Sequence, residues 1–376
     1  MTFYLKSYVY PQRMCIVAKD REMLLQLLEC KYSVMFINDD SIIFYPDEIR
    51  ISVETSEKEN VGILENRDIV EVNSNGLVYR SFAYTEPDSV LFLGAKCNSN
   101  CIMCPAGDAE RKEGFSYNLN QIETYIDYLP DDLEILVVTG GEPTLNPAIF
   151  LSAMRMLKDK FLYTQVLLLT NGRTLSNTEF LNNLCIVTPE NFVIAIPIHG
   201  DTAGVHDYIT RVEGSFDETL IAVRKVLDSD LRVELRIVVS KANYMHLDGI
   251  AHLISKKFKK VETVNFVGLE PRGNCAKNAD IVYIDHNTAF GRMKSAITHL
   301  MEHGINVGIY NYPLCSVDRG FWSICRRSIS QYKATYHEKC NNCIVKDLCG
   351  GLFVATLSFI KPDVYPILAK REKSHA

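Results

Sequence analysis

The chain has 376 residues, 47% of them hydrophobic and 23% charged, with a formal net charge of −6 and twelve cysteines. This is globular composition; the acidic balance argues against nucleic acid as the main partner, and no apolar run reaches bilayer-spanning length. The N-terminus, Met1-Thr-Phe-Tyr-Leu-Lys-Ser-Tyr8, has no basic stretch leading into an apolar one, so no secretory signal is expected. Unexported cysteines point to a reducing, cytoplasmic setting, where clustered ones are more often metal ligands than disulfides.

Residues 1–86 predict a small α+β domain. Short β-like runs lie at Tyr8–Tyr10, Ser33–Ile37, Ser41–Tyr45 and Ile69–Val72, with turns at Asn38-Asp39-Asp40 and Asn73–Gly76, and one helix over Asp20–Tyr32. From 87 to 309 apolar runs of strand length alternate with amphipathic segments of helix length. The strands fall at Val90–Leu93, Ile135–Val138, Gln165–Leu169, Phe192–Ile198, Arg232–Val239, Val264–Gly268 and Gly304–Ile309. Helices include Leu119–Tyr128, Ile149–Lys158, Ser215–Leu227, Tyr244–Lys256 and Thr288–Glu302. The alternation predicts an α/β fold with a parallel sheet, a partial (β/α)6 barrel whose site lies at the C-terminal strand ends. Residues 310–376 turn irregular and cysteine-rich, and the tail Lys370–Ala376 is expected to fray.

Just after the first of those strands stands Cys97-Asn-Ser-Asn-Cys101-Ile-Met-Cys104, a C-x3-C-x2-C loop. Three thiolates from one short loop can hold an iron–sulfur cluster while leaving one iron without a protein ligand. A structural zinc site is the bland alternative, but it asks for four ligands. After the second strand comes Thr139-Gly140-Gly141-Glu142-Pro143-Thr144. Its adjacent glycines admit close approach of a ligand, and Glu142 with neighbouring carbonyls could receive an ammonium group. Alone the turn is a weak motif; one strand beyond the cysteine loop it is a specific one. In Val233–Val239, Glu234 and Arg236 share one face, where a charged pair wants a ligand or each other. The strand-end loops offer Asn171, His199, Asp201, His206, Asp207 and Glu270 as further candidates.

A second array, Cys340-Asn-Asn-Cys343 and Cys349, has C-x2-C-x5-C spacing and needs one more ligand for a closed cluster. Cys315, after a strand, is favoured over Cys325, in an expected helix; a closed zinc site remains open as a reading. Cys15, Cys30, Cys185 and Cys275 read as buried small hydrophobes.

The cysteine loop, the Gly-Gly-Glu-Pro turn and the βα alternation resemble the radical S-adenosylmethionine (SAM) superfamily. The resemblance implies a [4Fe-4S] cluster on Cys97, Cys101 and Cys104, whose open iron chelates the amino and carboxylate groups of SAM, with Gly140, Gly141, Glu142 and Pro143 at the amino group. Asn171 would lie near SAM or substrate, and Arg236 is the candidate for the SAM carboxylate. Reduction of SAM would then yield methionine and a 5′-deoxyadenosyl radical that abstracts a substrate hydrogen. The residue before the last loop cysteine, often aromatic in the superfamily, is here Met103, whose thioether could pack over adenine. The Cys340–Cys349 array resembles the auxiliary-cluster (SPASM/twitch) segment of peptide-modifying members, implying a second [4Fe-4S] cluster on Cys315, Cys340, Cys343 and Cys349.

Val61–Val72, His206-Asp207 with Gly214-Ser-Phe-Asp217, Gly308–Asn311 with Leu314-Cys315, and Ser328–Ser330 are similar to the His-Xaa-Ser system maturases of the HxsC type. That likeness, over about residues 60–357, implies a ribosomally made peptide as substrate, an external electron donor and a second radical SAM protein as partner. Neither residues nor resemblance name the bond modified. Competing readings are a radical SAM enzyme for a small molecule or nucleotide, and a non-catalytic iron–sulfur redox or regulatory protein. A relay would have no need of the Gly140–Pro143 turn.

Overall fold

A computed structural model of the chain describes residues 1–330, 333–359 and 362–368; the tail expected to fray, Lys370–Ala376, lies outside them. The N-terminal sheet contains β1 (Thr2–Tyr4), β2 (Arg13–Ala18), β3 (Val34–Asn38), β4 (Ser41–Tyr45), β5 (Ile49–Ser52), β6 (Ile69–Val72) and β7 (Leu77–Phe82). Their order is β1-β7-β6-β2-β3-β4-β5. Only β2 and β3 pair in parallel, because α1 (Arg21–Glu29) carries the chain back between them. The Asp20 carboxylate accepts from the Met23 N–H at 2.8 Å and starts that helix. Its Leu24 and Leu27 bury against Ile16, Ala18 and Val34. A short α2 (Lys58–Gly62) precedes β6. No strand forms at Tyr8–Tyr10, contrary to the sequence reading. Pro11 can donate nothing to a ladder, and Tyr8 instead drops into the core with its hydroxyl donating to Pro11 O at 2.5 Å.

The second sheet runs β8 (Asp88–Phe92), β9 (Ile135–Thr139), β10 (Gln165–Leu169), β11 (Phe192–Pro197), β12 (Arg232–Val238), β13 (Thr263–Val267), β14 (Asn306–Tyr310) and β15 (Cys325–Arg326). Neighbours in space are neighbours in sequence, and every pair is parallel. The crossovers carry α3 (Asp108–Glu113), α4 (Leu119–Tyr128), α5 (Pro147–Lys160), α6 (Thr178–Val187), α7 (Ala203–Thr210), α8 (Ser215–Asp228), α9 (Leu247–Lys257), α10 (Gly273–Lys277), α11 (Ala279–Val282) and α12 (His286–Glu302). A sheet that always grows from the same edge curls one way, and this one makes the expected partial barrel: six strand–helix units and a seventh full strand.

Residues on one face of the strands, such as Leu136, Val138, Val166, Leu168, Ile194 and Ile196, are fully buried under the helices. The alternate residues of β9 and β10 are half-buried and line the opposite, concave face. Cys325 is not helical: a 3-10 turn over Arg319–Ile324 ends before it, and it opens the edge strand β15. β16 (Ala334–Thr335) and β17 (Leu352–Phe353) pair antiparallel, and α13 (Val354–Phe359) follows. Among the described residues no helix is long and apolar enough to cross a membrane.

The two sheets share polar and apolar contacts. Tyr117 donates its hydroxyl to the Glu71 carboxylate, 2.9 Å from both oxygens, and the Ser33 N–H donates to Tyr128 Oη at 2.9 Å. Ile69 and Phe82 of the N-terminal sheet lie in the barrel's own core.

Candidate functional site

The cysteine loop leaves the C-terminal end of β8 and is held from four sides. From below, the loop after β9 supports it: the Gly141 N–H donates to Gly94 O and the Glu142 N–H to Lys96 O, both at 2.8 Å. A Cβ at Gly141 would stand 2.2 Å from Ala95 O and 2.4 Å from Lys96 O, and one at Gly140 2.5 Å from Gly94 O. Only glycines permit this contact. From the end of α7, Thr210 O and Ile209 O accept from the Asn100 and Ile102 N–H groups at 3.0 and 2.9 Å.

From the loop after β10, Asn171 Nδ2 donates to Asn98 Oδ1 and Arg173 Nη2 to Asn98 O, each at 2.7 Å. From α10, Asn274 Nδ2 donates to Asn100 Oδ1 at 3.0 Å, and Asn278 Nδ2 to Ile102 O at 2.9 Å. Ile102 and Met103 are buried with Ile209, Cys275 and Val282. Met103 is therefore packed in an apolar cluster.

Cys97, Cys101 and Cys104 are half-buried. Burial pushes the Cys97 thiol up, against an opposing N–H from Ser99 at 3.4 Å. Burial, then the neighbouring Cys104 and Cys97 thiols, push Cys101 up to about 12. Such thiols are neutral in the bare chain, so ligation must expel their protons. Among the described residues no three His, Cys, Asp or Glu side chains converge to hold a single metal ion; a four-iron cluster, larger than an ion, does not require them to.

Glu142 departs from expectation. Its carboxylate is 3% exposed and fully engaged. Oε1 accepts from Thr144 N–H (3.1 Å), Thr144 Oγ1 (2.7 Å) and Thr170 Oγ1 (2.7 Å), and Oε2 from Asn171 N–H (2.7 Å). It ties two strand-end loops together and is not free to receive an ammonium group. What the Gly140–Pro143 turn has to offer such a group is backbone carbonyls.

On the concave face, Arg236 Nε donates to Glu234 Oε1 at 2.5 Å, so the pair satisfies part of its own need. No partner for Nη1 or Nη2 is found among the described residues, and the guanidinium lies 5.9 Å from the Tyr310 ring centroid. Asn265, beside Arg236 on β13, is buried with Nδ2 unpartnered.

The other candidates have partners within the fold. The Asp201 carboxylate accepts from the His246 ring Nδ1 at 2.9 Å and packs against Gly249 of α9. Asp207 accepts from Gly214 N–H, Ser215 Oγ and Phe216 N–H, all at 2.8 Å, and so caps α8. Glu270 faces Lys333 at 3.2 Å and Arg272 at 3.8 Å. His206 accepts from the His199 N–H at 3.2 Å, and both rings are buried. Of the single cysteines, Cys15 and Cys275 are buried, Cys185 is half-buried, and Cys30 is exposed, against expectation.

His206 gives a pH prediction. Burial, partly opposed by Asp207, pushes it down to about 4 from an ordinary 6.5, and burial also pushes His199 well down. The unfolded chain takes up the proton first, so stability is full above pH 6.5 and lost as pH falls towards 4. For His206 alone the loss between about pH 7 and pH 5 is about 2 kcal/mol. Denaturant midpoints at the two pH values check it, with His206→Gln flattening the difference.

In the C-terminal segment a pocket enclosing about 380 Å³ of empty space, its mouth included, is lined by Cys315, Cys340, Cys343 and Cys349 together with Tyr336 and Tyr365. Cys325 is not among its walls; its thiol points to Phe321 O at 3.6 Å. Backbone N–H groups face the sulfurs: Leu314 and Gly351 on Cys349 Sγ and Ile367 on Cys343 Sγ, each at 3.4 Å. Such donors suit thiolates bound to iron or zinc alike.

Residues 91–254 match the model of the Radical SAM superfamily. No curated protein matches the chain. Among solved structures it is similar to Streptococcus suis SuiB bound to precursor peptide SuiA, with 14% identity over 61% of this chain and 49% of that one and a TM-score of 0.48. It is also similar to native anSMEcpe with bound AdoMet and Kp18Cys peptide (15% identity, 59% and 64% of the two chains, TM-score 0.47). A domain of pyruvate-formate lyase-activating enzyme from Bacteroides vulgatus is a third (15%, 46% and 96%, TM-score 0.37). The chain spans about half the length of the SuiB chain. The superfamily whose model residues 91–254 match implies a [4Fe-4S] cluster and SAM.

Proposed function

We propose that the chain is a radical SAM peptide maturase of three parts: an N-terminal α+β domain (1–86), the partial barrel (87–309) and an auxiliary-cluster segment (310–376). The observation that carries the reading is the contact of the cysteine loop with the glycine turn. Two 2.8 Å backbone bonds fix them side by side at adjacent strand ends, with three thiols on the one and the backbone carbonyls of the other beside them.

The donor set fits the implied group. Cys97, Cys101 and Cys104 would hold the cluster, the Gly140–Pro143 backbone would meet the SAM amino group, and the free Arg236 nitrogens would meet a carboxylate. When bound, cluster and SAM supply a 5′-deoxyadenosyl radical. This chain's residues do the rest: the Glu142 carboxylate locks the turn, Asn171 and Arg173 lock the loop, and the concave face shields the reacting atoms from water.

Cys315, Cys340, Cys343 and Cys349 around one pocket support a second [4Fe-4S] cluster with Cys315 as fourth ligand. That array, with the likeness to the HxsC type, favours a ribosomally made peptide as substrate. An external electron donor, and a second radical SAM protein as partner, belong to the same reading, as does a reducing cytoplasm. The small-molecule alternative gains no observation of its own.

Two experiments test this. Reconstituted chain, SAM and reductant are incubated with a deuterated short peptide carrying His-Xaa-Ser units. Deuterium in 5′-deoxyadenosine and a changed peptide mass are expected, and deoxyadenosine formed with every such peptide unaltered would remove the peptide reading. Separately, Cys315→Ala should lose the second cluster's iron while Cys325→Ala keeps it, read as iron and sulfide per chain.

A further inference from the structure

The first turn after the cysteine loop contains a charge that neither the fold nor the proposed chemistry has yet used. Arg111, on α3, has a side chain only 3% exposed. Its Nη2 reaches Asn100 Oδ1 and Asp108 Oδ1, the latter at 3.0 Å. Among the described residues Nη1 is buried without a partner. Asp108 cannot neutralise it fully, because the same carboxylate also accepts from Lys277 Nζ at 2.9 Å and Asn274 Nδ2 at 3.1 Å. One carboxylate thus stands between two cations, and the surplus positive charge lies on the buried side.

That side is the cysteine loop. The Cys97 N–H donates to Arg111 O at 3.3 Å, and the guanidinium is bonded to Asn100, the residue before Cys101. A buried guanidinium with an unmade bond is unfavourable in an otherwise apolar setting. It becomes favourable beside an anion, and three thiolates on an iron–sulfur core make the centre anionic. One added electron, from an external donor, makes it more so, with no bond formed or broken.

Resting on the radical SAM reading above, we propose that Arg111 is a positioning residue whose fixed charge sets the reduction potential of the cluster held by Cys97, Cys101 and Cys104. Nη1 is a donor that the described residues leave unused beside the loop, and hydrogen bonds and charge near the sulfurs are the protein's means of tuning such a centre.

The test uses the full chain, reconstituted anaerobically as wild type, Arg111→Lys and Arg111→Gln. A mediated redox titration follows by electron paramagnetic resonance the signal that SAM perturbs, which separates this cluster from any other. Arg111→Gln should hold wild-type iron yet show its midpoint shifted to more negative potential, so that a smaller fraction is reduced at a fixed poise; Arg111→Lys should stay near wild type. Iron lost from Arg111→Gln but kept by Arg111→Lys would make the charge one that holds the cluster rather than sets its potential, and would overturn the proposal. Equal midpoints for wild type and Arg111→Gln, equal displacement of both variants, or iron lost from both alike would overturn it. A wild-type chain that takes up no iron and sulfide under these conditions fails the cluster assignment itself, and the proposal falls with it.

Discussion

Cys101→Ala is expected to abolish 5′-deoxyadenosine formation and to remove about half of the iron and sulfide from the reconstituted chain, the share of one of two four-iron clusters. Cys101 is the middle ligand of the loop, and its backbone carbonyl accepts from the Cys104 N–H at 3.2 Å, so the turn itself survives loss of the sulfur. Its thiol adjoins the apolar cluster of Ile102, Met103 and Ile209, where a methyl group is welcome. The bare variant should therefore unfold near the wild-type temperature. Metal analysis and thermal melting together check this, and full iron retention in Cys101→Ala would contradict it.

Gly141→Ala should damage the barrel at the junction of the cysteine loop and the glycine turn. The added Cβ would lie 2.2 and 2.4 Å from two backbone carbonyl oxygens, Ala95 O and Lys96 O, and backbone between a strand and a pinned loop has nowhere to go. Relief requires the glycine turn and the cysteine loop to separate, breaking the bonds to Gly94 O and Lys96 O that hold the proposed cluster ligands beside the proposed SAM site. Overpacking of this kind costs about 3 kcal/mol, and SAM affinity should be lost even in molecules that fold. Gly62→Ala is the control. Its Cβ meets nothing within 4 Å, and alanine favours helix, so its melting temperature should match or exceed wild type.

The barrel and its cysteine loop were legible in the sequence because both signals are local. Apolar runs such as Ile135–Val138, alternating with amphipathic segments of helix length, read as strands of a helix-covered sheet, and the cysteine spacing lies within eight residues. The edges were less so. α6, with Asn182, Asn183, Ile186 and Val187, is made of weak helix formers. The strand expected at Gly304–Ile309 starts at Asn306, since Gly304 takes a left-handed φ of 75° to end α12.

Polar roles were the hardest to read. Glu142, Asp201 and Asp207 all sit where ligands sit, and what distinguishes a helix cap or loop tie from a ligand is the set of donors that reaches it. For Glu142 those donors come partly from Thr170 and Asn171, across a 28-residue separation. Asn274 secures the cysteine loop from 174 residues away; no spacing rule could have found it. Arg173 stood in the Thr-Asn-Gly-Arg run, yet its bond to Asn98 O exists only once two loops meet.

The most direct test of the central claim is release of 5′-deoxyadenosine and methionine from SAM by the full chain, reconstituted with iron and sulfide and given a strong reductant and peptide. The account predicts both products in equal amounts with wild type and neither with Cys101→Ala. Intact clusters, reduced and saturated with SAM, that release neither product in the presence of peptide would contradict it.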